Sequence, residues 1–164
     1  MTVNLKYKTE IMGLLIREAK KSDNSKIVEF QMAMALETES LELDRDVLSL
    51  GVNAVLEDSS KARYFIAEEE GSSIGMLMIT LEWSDWRNGW VWWIQSVYTA
   101  PEYRGRGVYK LLYQHVKSLV RSSDNIRGIR LYVDKRNVTA QKVYDALGMN
   151  GSHYSTYEWM VGDE

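Results

Sequence analysis

Two glycines that alternate with two arginines carry the clearest chemical signal in the sequence. Arg104, Gly105, Arg106 and Gly107 follow the only proline of the chain, Pro101, and precede an amphipathic run. Glycine allows main-chain conformations and close approaches that a β-carbon forbids. At a helix start, free N–H groups and the helix dipole favour an anion, and arginines add charge-assisted hydrogen bonds. The stretch therefore predicts a phosphate-binding turn.

Two better-known phosphate motifs do not match this turn. The P-loop pattern GxxxxGK[ST] is absent from the sequence, and the dinucleotide pattern GxGxxG would need glycine where Lys110 stands. The remaining alternative is a surface loop whose arginines are only solvated. A strand, a proline, the turn and a helix in that order favour phosphate binding.

The turn needs a strand before it and a helix after it, and the hydrophobic pattern predicts both. Residues 90–98 are typical of a strand. One face of the following helix is formed by Val108, Leu111, Leu112, His115, Val116, Leu119 and Val120, at helical spacing. Residues 128–133 predict the next strand, and Asn137 predicts the cap of a helix that Gly148 ends. This order predicts a parallel βαβ unit.

The first half of the chain predicts an antiparallel arrangement. Its predicted elements are a strand at 14–19, a helix capped by Ser22 or Asp23, a helix at 44–56, and a hairpin of strands 62–69 and 73–83. The Asn88-Gly89 turn then leads into the strand before the turn, and residues 153–161 predict a last strand. The fold class is therefore a mixed α/β sheet in a single domain, 1–164, with its core at about 14–161.

Composition excludes several classes of function. A net charge of -3 gives no general attraction to nucleic acid or to an anionic membrane. The chain has no cysteine, so it has no disulfide and no thiolate nucleophile, and two histidines leave little for a metal cluster. The apolar run at 11–16 is too short for a membrane span and lacks a signal-peptide cleavage pattern. We therefore expect a cytoplasmic protein without a metal.

With these motifs in place, the chain resembles the GCN5-related N-acetyltransferases. Their first signature, Q/R-x-x-G-x-G/A, is similar to residues 104–109, RGRGVY, and their second resembles residues 137–149, NVTAQKVYDALGM. The final Gly or Ala of the first signature is Tyr109 here, which could narrow the site or turn its ring outward. The likeness covers most of residues 14–161 and implies that family's acyl-CoA N-acyltransferase fold, with the parallel strands splayed at the cofactor.

The resemblance implies transfer of an acetyl group from acetyl-CoA to a primary amine by direct attack in a ternary complex. The pyrophosphate would lie over the N–H groups of residues 104–109. The pantetheine arm would run beside the strand end at Val97, Tyr98 and Thr99. A main-chain N–H near Tyr98 would polarise the thioester carbonyl.

Two residues of the second signature have implied roles with structural alternatives. Tyr144 would protonate the departing thiolate, although it lies on the apolar stripe of its helix and can be a core residue. Asn137 would bond the pantetheine arm, cap the helix, or do both. His115 is interpreted as structural because it lies on the buried stripe.

The attacking amine must first lose a proton, and the strand at 90–98 offers no acid for this step. Gln95 is its nearest polar residue and cannot serve as a base. Glu37 and Glu82 are the leading candidates for the general base, directly or through water. The segment 37–46 carries five acids against one arginine, so it would attract a cationic amine, and it could equally be a solvated loop. Glu39 in this segment is a candidate substrate-binding residue.

Five of the six tryptophans fall between positions 83 and 93. Trp faces can hold cations, so Trp93 and Trp86 are candidates for an acceptor wall. The alternatives are core packing for Trp93 and Trp90, and an interface contact for Trp86.

The leading functional hypothesis is an acetyl-CoA-dependent N-acetyltransferase that acts on a small-molecule amine or a peptide amine. A non-catalytic acyl-CoA-binding or sensor module on the same fold is the alternative. A nucleotide-binding protein is disfavoured by the two failed motifs. Homodimers are common among proteins of this type, and the sequence adds nothing of its own on that point.

Overall fold

The computed structural model describes residues 9–11, 13–152, 155–157 and 159, and its chain forms two compact units, 1–130 and 131–164. The helices are α1 (Asn24–Glu39), α2 (Arg45–Glu57), α3 (Val108–Arg121) and α4 (Val138–Ala146). The strands are β1 (Thr9–Ile11), β2 (Leu14–Glu18), β3 (Ala62–Glu69), β4 (Ser72–Ser84), β5 (Gly89–Thr99) and β6 (Ile126–Leu131). Among the described helices, none combines the length and the apolar composition that a bilayer crossing needs.

One six-stranded sheet carries the strands in chain order, from β1 to β6. Each of the first four pairings is antiparallel. β6 lies beside β5 and parallel to it. The Trp90 N–H donates to the Asn125 carbonyl at 2.8 Å, which places the beginnings of the two strands together, and α3 connects the end of β5 to the beginning of β6. The predicted mixed sheet, antiparallel in its first half with a parallel βαβ unit behind, is confirmed.

Helices cover both faces of the sheet in the first unit. Tyr64 and Ile66 of β3 lie in one cluster with Phe30 of α1 and Val52 of α2. Phe65, between them in sequence, instead meets the ring of His115 on α3 at 5.4 Å, so α3 packs on the opposite face. A strand covered on both sides explains the run of buried residues at 64–67.

The predicted starts of the first two helices are confirmed in position, but the side chain of the residue at the start of α1 does not cap the helix. Asp44 caps α2, since its Oδ1 accepts from the N–H groups of Asp46 and Val47 at 2.9 and 3.0 Å. Asp23 occupies the cap position of α1 but makes no side-chain cap bond, and Ser22 lies in the 3₁₀ turn before it. The carboxylate of Asp23 is held instead by the guanidinium of Arg17 and by a main-chain N–H.

Three strand expectations need correction. The strand expected at 128–133 begins and ends two residues earlier, as β6, and the short β1 was not expected. The last strand was expected at 153–161. Residues 155–157 and 159 of that range lie in no strand, and its other residues lie outside the described part of the chain.

Residues 131–164 contain the last helix, α4, whose two ends follow the sequence signals. Asn137 accepts from the Ala140 N–H at 3.0 Å, which confirms it as the cap. At the other end, Gly148 has a φ of 81°. Its N–H and that of Met149 return to the carbonyls of Asp145 and Tyr144 at 2.9 and 3.0 Å, a Schellman ending.

Candidate active site

The glycine turn adopts the conformation that its sequence predicts. Gly105 has a φ of 76° and Gly107 a φ of 80°, which side-chain-bearing residues rarely adopt. An added β-carbon would meet nothing within 4 Å at either position, so the need for glycine is conformational and the space above the turn is open. Gly107 is the N-cap of α3 and offers no side-chain cap.

Main-chain donors collect at this helix start. The N–H groups of Gly105, Arg106, Gly107, Val108 and Lys110 find no acceptor within the described residues. The first N–H groups of a helix have no partner in their own helix, and together with the helix dipole they favour an anion. The turn therefore has the donors that a phosphate group requires.

Arg104 connects the turn to α1 and to the end of β5. Its Nε donates to the Thr99 carbonyl at 2.9 Å, and its Nη2 donates to Glu37 at 2.6 Å. The Tyr98 hydroxyl donates to the other carboxylate oxygen of Glu37 at 2.9 Å. The Arg104 guanidinium carbon also lies 5.4 Å from the centre of the Tyr98 ring.

These contacts shift two pKa values in opposite directions. The hydrogen bonds from Arg104 and from Tyr98 lower the pKa of Glu37. Burial, followed by the bond to the Glu37 carboxylate, raises the pKa of Tyr98. Glu37 is therefore held as a carboxylate, with Tyr98 held as a neutral hydroxyl beside it.

Arg106 has a carboxylate partner that sequence reasoning missed. Its guanidinium reaches Glu69, at the end of β3, and lies 5.2 Å from the centre of the Tyr103 ring. Nothing in the sequence marks Glu69, because it is one of three consecutive glutamates at the end of a strand.

The end of β5 exposes a row of main-chain groups at the edge away from β4. The Ala100 N–H donates to the Ile74 carbonyl, and Tyr98 lies opposite Met76. Because main-chain groups alternate in direction along a strand, those of Val97 and Thr99 face away from β4. β6 starts beside β5 but has six residues against eleven, so β5 runs past it at this end. The edge lies directly before the glycine turn.

A β-bulge precedes this edge. Met78 lies opposite Ser96 and Ile79 lies opposite Ile94, so Gln95 is an extra residue in β5. Bulges bend a strand and change the face to which the following side chains point. The alternation of Trp90, Trp92 and Ile94 along one face therefore does not continue into the end of β5.

The second base candidate, Glu82, lies elsewhere on the sheet. It accepts from Arg130 at 2.7 Å and from the indole Nε1 of Trp93. Its partner in register is Val91, seven residues before Tyr98, which corresponds to about 20 Å along the strand. The structure therefore does not bring Glu82 and Glu37 together, and only Glu37 lies with the turn.

The acceptor candidates are spread over three environments. Trp93 is half-buried and bound to Glu82, whereas Trp86, in the turn before β5, is 89% exposed. Glu39 is exposed at the last residue of α1. Trp90 is half-buried and meets the exposed Trp83 edge-on at 5.2 Å.

Tyr109, the departure from the family signature, is half-buried in the first turn of α3. Its ring centre lies 6.2 Å from that of Tyr113, one helical turn further on. The ring is thus placed along the helix, on the side of Tyr113.

In residues 131–164, Tyr144 is half-buried on α4, and burial raises the pKa of its hydroxyl. The Tyr144 hydroxyl is therefore protonated at neutral pH, as a proton donor must be.

His115, on α3, is 2% exposed, and burial lowers the pKa of its imidazole, which agrees with a structural role.

Comparison with known proteins agrees with this geometry. The model of the Acetyltransferase (GNAT) family matches residues 26–149. No curated protein matches the chain. Among solved structures, a possible acetyltransferase from Clostridium difficile 630 is 42% identical, with a TM-score of 0.84 over 90% of this chain and 97% of that chain.

More distant structures share the fold at 14% identity. A ribosomal-protein-alanine N-acetyltransferase from Brucella melitensis biovar Abortus 2308 has a TM-score of 0.71 over 90% of this chain and 98% of that chain. An aminoglycoside acetyltransferase from an uncultured soil metagenomic sample, in complex with sisomicin, has a TM-score of 0.72 over 90% of this chain and 95% of that chain. The family match, the 42% relative and the glycine turn together show that this chain belongs to the GNAT family of acetyltransferases.

Proposed function

We propose that the protein is an N-acetyltransferase, with residues 1–164 as its domain, acetyl-CoA as donor and a primary amine as acceptor. The observation that carries this proposal is the turn before α3. Two positive-φ glycines there set five main-chain N–H groups without acceptors in the described chain beside Arg104 and Arg106. A cytoplasmic location and a homodimer remain further parts of the proposal.

The residues present fit the cofactor's two polar parts. A diphosphate suits the N–H groups of residues 105–108 and the charge of the two arginines. The amides of a pantetheine arm suit the outward main-chain groups of Val97 and Thr99, which can bond an extended chain as a neighbouring strand would. When bound, acetyl-CoA supplies an activated acetyl thioester.

The chain's own groups would orient the reaction and move its protons. One outward main-chain N–H near Tyr98 would donate to the thioester carbonyl, and the other would remain for the pantetheine arm. Tyr144 would give a proton to the leaving sulfur, since its hydroxyl is protonated at neutral pH. The side-chain oxygen of Asn137 caps α4, and its side-chain NH2 group would bond the pantetheine arm. Holding the amine beside the thioester provides much of the acceleration.

Glu37 is the stronger candidate for the base. It lies against Tyr98 and Arg104, next to the proposed thioester site, whereas Glu82 is about 20 Å along the sheet. Glu37 would accept the proton directly or through water. Glu39 would add negative charge for the incoming cation, and Trp86 and Trp93 would contact the acceptor.

The acceptor class follows from charge and from the distant relatives. The acidic segment 37–46 favours a cationic molecule. One structural neighbour is an aminoglycoside acetyltransferase and another acts on a ribosomal-protein alanine, so this fold serves both small-molecule and peptide amines. Both kinds of amine are therefore included in the proposal.

A non-catalytic acyl-CoA-binding module is the second candidate. β5 carries no acid, and Glu37 is already held by two partners. CoA release from acetyl-CoA, measured against a panel of spermidine, lysine, kanamycin and a short basic peptide, separates the two. Release above background hydrolysis with one amine is expected. Tight binding of acetyl-CoA without release for any amine, in a panel extended to peptide N-termini, would favour the binding module.

A further inference from the structure

Glu37 and a bound diphosphate would need the same arginine. Arg104 is the first residue of the glycine turn, and its Nη2 now serves the Glu37 carboxylate at 2.6 Å. The Nε of Arg104 is fixed on the Thr99 carbonyl. The guanidinium can therefore turn about this fixed end and exchange the partner of its Nη groups.

The ion pair is exposed enough for such an exchange. The side chains of Arg104 and Glu37 are 47% and 40% exposed. Exposed pairs of this kind contribute little to stability, so either partner can be replaced at small cost. A diphosphate brings more negative charge than one carboxylate and offers the paired oxygens that a guanidinium binds best.

Glu37 would keep a second partner after the exchange. The Tyr98 hydroxyl donates to its other oxygen at 2.9 Å, which holds the carboxylate beside β5. The oxygen released by Arg104 would then be available to a cationic amine attracted by the acidic segment 37–46, to which Glu37 itself belongs.

We propose that Arg104 is a coupling residue that leaves Glu37 for the cofactor diphosphate, so that cofactor binding releases the carboxylate for the acceptor amine. This inference rests on the proposed function. Because binding free energies are reciprocal, an amine held by Glu37 would also strengthen cofactor binding through Arg104. Arg104 is thus a positioning residue for the acceptor as well as a cofactor ligand.

A double-mutant cycle tests this coupling by calorimetry with CoA. Glu37→Gln should strengthen CoA binding about three- to fivefold, because Arg104 loses its competing carboxylate. Arg104→Gln should weaken CoA binding about tenfold. In the Arg104→Gln background, Glu37→Gln should have no further effect. Inorganic pyrophosphate, as a second probe without the pantetheine arm, should give the same order of affinities.

Glu39→Gln is the matched control, since it removes the same charge two residues away and Glu39 has no ion pair among the described residues. It should leave CoA affinity nearly unchanged, and melting curves should show that each variant folds. The proposed coupling is overturned if Glu37→Gln leaves CoA affinity unchanged. It is also overturned if Glu37→Gln strengthens CoA binding by the same factor in the wild-type and Arg104→Gln backgrounds. If the wild type binds CoA, the proposed function survives that result. If no form binds CoA or pyrophosphate, both proposals fail.

Discussion

Arg106 in the glycine turn donates to both carboxylate oxygens of Glu69 at the end of β3, at 3.2 and 2.5 Å. The two residues are 37 positions apart in sequence. Both arginines of the turn are therefore held by carboxylates from distant elements, Arg104 by α1 and Arg106 by β3. This arrangement holds two arginine side chains beside the main-chain donors of the turn.

Replacing Arg106 should weaken cofactor binding. Arg106→Gln removes one charge that we expect to contact phosphate, so CoA affinity should fall about three- to tenfold. The dependence of affinity on salt should also become weaker, because one charged contact is gone. Calorimetry at two salt concentrations measures both effects.

Arg121→Gln is the control for this prediction. It makes the same charge change at the last residue of α3, about 20 Å along the helix from the turn. Its affinity for CoA should match the wild type. Equal losses for the two variants would show that Arg106 acts only through overall charge.

Replacing Tyr144 should separate turnover from binding. Tyr144→Phe removes the hydroxyl that we assign to the leaving thiolate and keeps the ring on α4. We expect turnover to fall about a hundredfold while CoA affinity changes little. Steady-state kinetics and calorimetry on the same sample compare the two.

Tyr157→Phe is the matched control, because Tyr157 is 94% exposed and also lies in residues 131–164. Its turnover should equal that of the wild type. Full activity in Tyr144→Phe would reject this tyrosine as the acid. A parallel loss of stability and turnover would assign it to the core.

The Arg17–Asp23 pair predicts how stability depends on pH. Burial acts to raise the pKa of Asp23, but hydrogen bonds from Arg17 and from the Lys20 N–H outweigh it and hold this pKa below its ordinary value. A carboxyl group whose pKa is lower in the folded state stabilises the protein above its unfolded pKa. That stabilisation is lost as the pH falls through the folded pKa.

Asp23→Asn should therefore lower the free energy of unfolding by about 3 kcal/mol at neutral pH, since the pair is largely buried. The difference in unfolding free energy between variant and wild type should narrow as the pH falls below the ordinary pKa of an aspartate towards the lower pKa of folded Asp23. Urea denaturation across this range measures it. Glu57→Gln, in the exposed pair with Lys21, should change stability by less than about 1 kcal/mol. An Asp23→Asn gap that stays constant with pH would contradict the assignment.

The sequence pattern predicted the features whose causes are local. The positive φ angles of Gly105 and Gly107, the apolar face of α3, the position of α2 and the cap at Asn137 all depend on residues within a few positions of each other. Local patterns of this kind have direct conformational reasons and can be read from one chain.

The contacts of the site depend on how distant elements meet, which no local pattern contains. Glu37 meets Tyr98 and Arg104, 61 and 67 positions away, only because α1 packs beside the end of β5. The extra residue Gln95 was also not predicted, since a bulge appears only in the register between two strands. The sequence predicted that Asp23 could cap α1, but its carboxylate binds the guanidinium of Arg17 on β2 and makes no cap bond to the helix.

We infer that the main-chain donors of the glycine turn hold the CoA diphosphate, and titration calorimetry with CoA measures this binding. The comparison uses wild type, Gly107→Ala, and Gly51→Ala as a control in the middle of α2. Gly107 has a φ of 80°, where alanine costs about 1–2 kcal/mol, whereas Gly51 lies in ordinary helix with open space around it. We predict micromolar binding by wild type and Gly51→Ala, and binding about tenfold weaker in Gly107→Ala. Absence of CoA uptake by the folded wild type at millimolar concentration, or equal affinity in all three proteins, would contradict the claim.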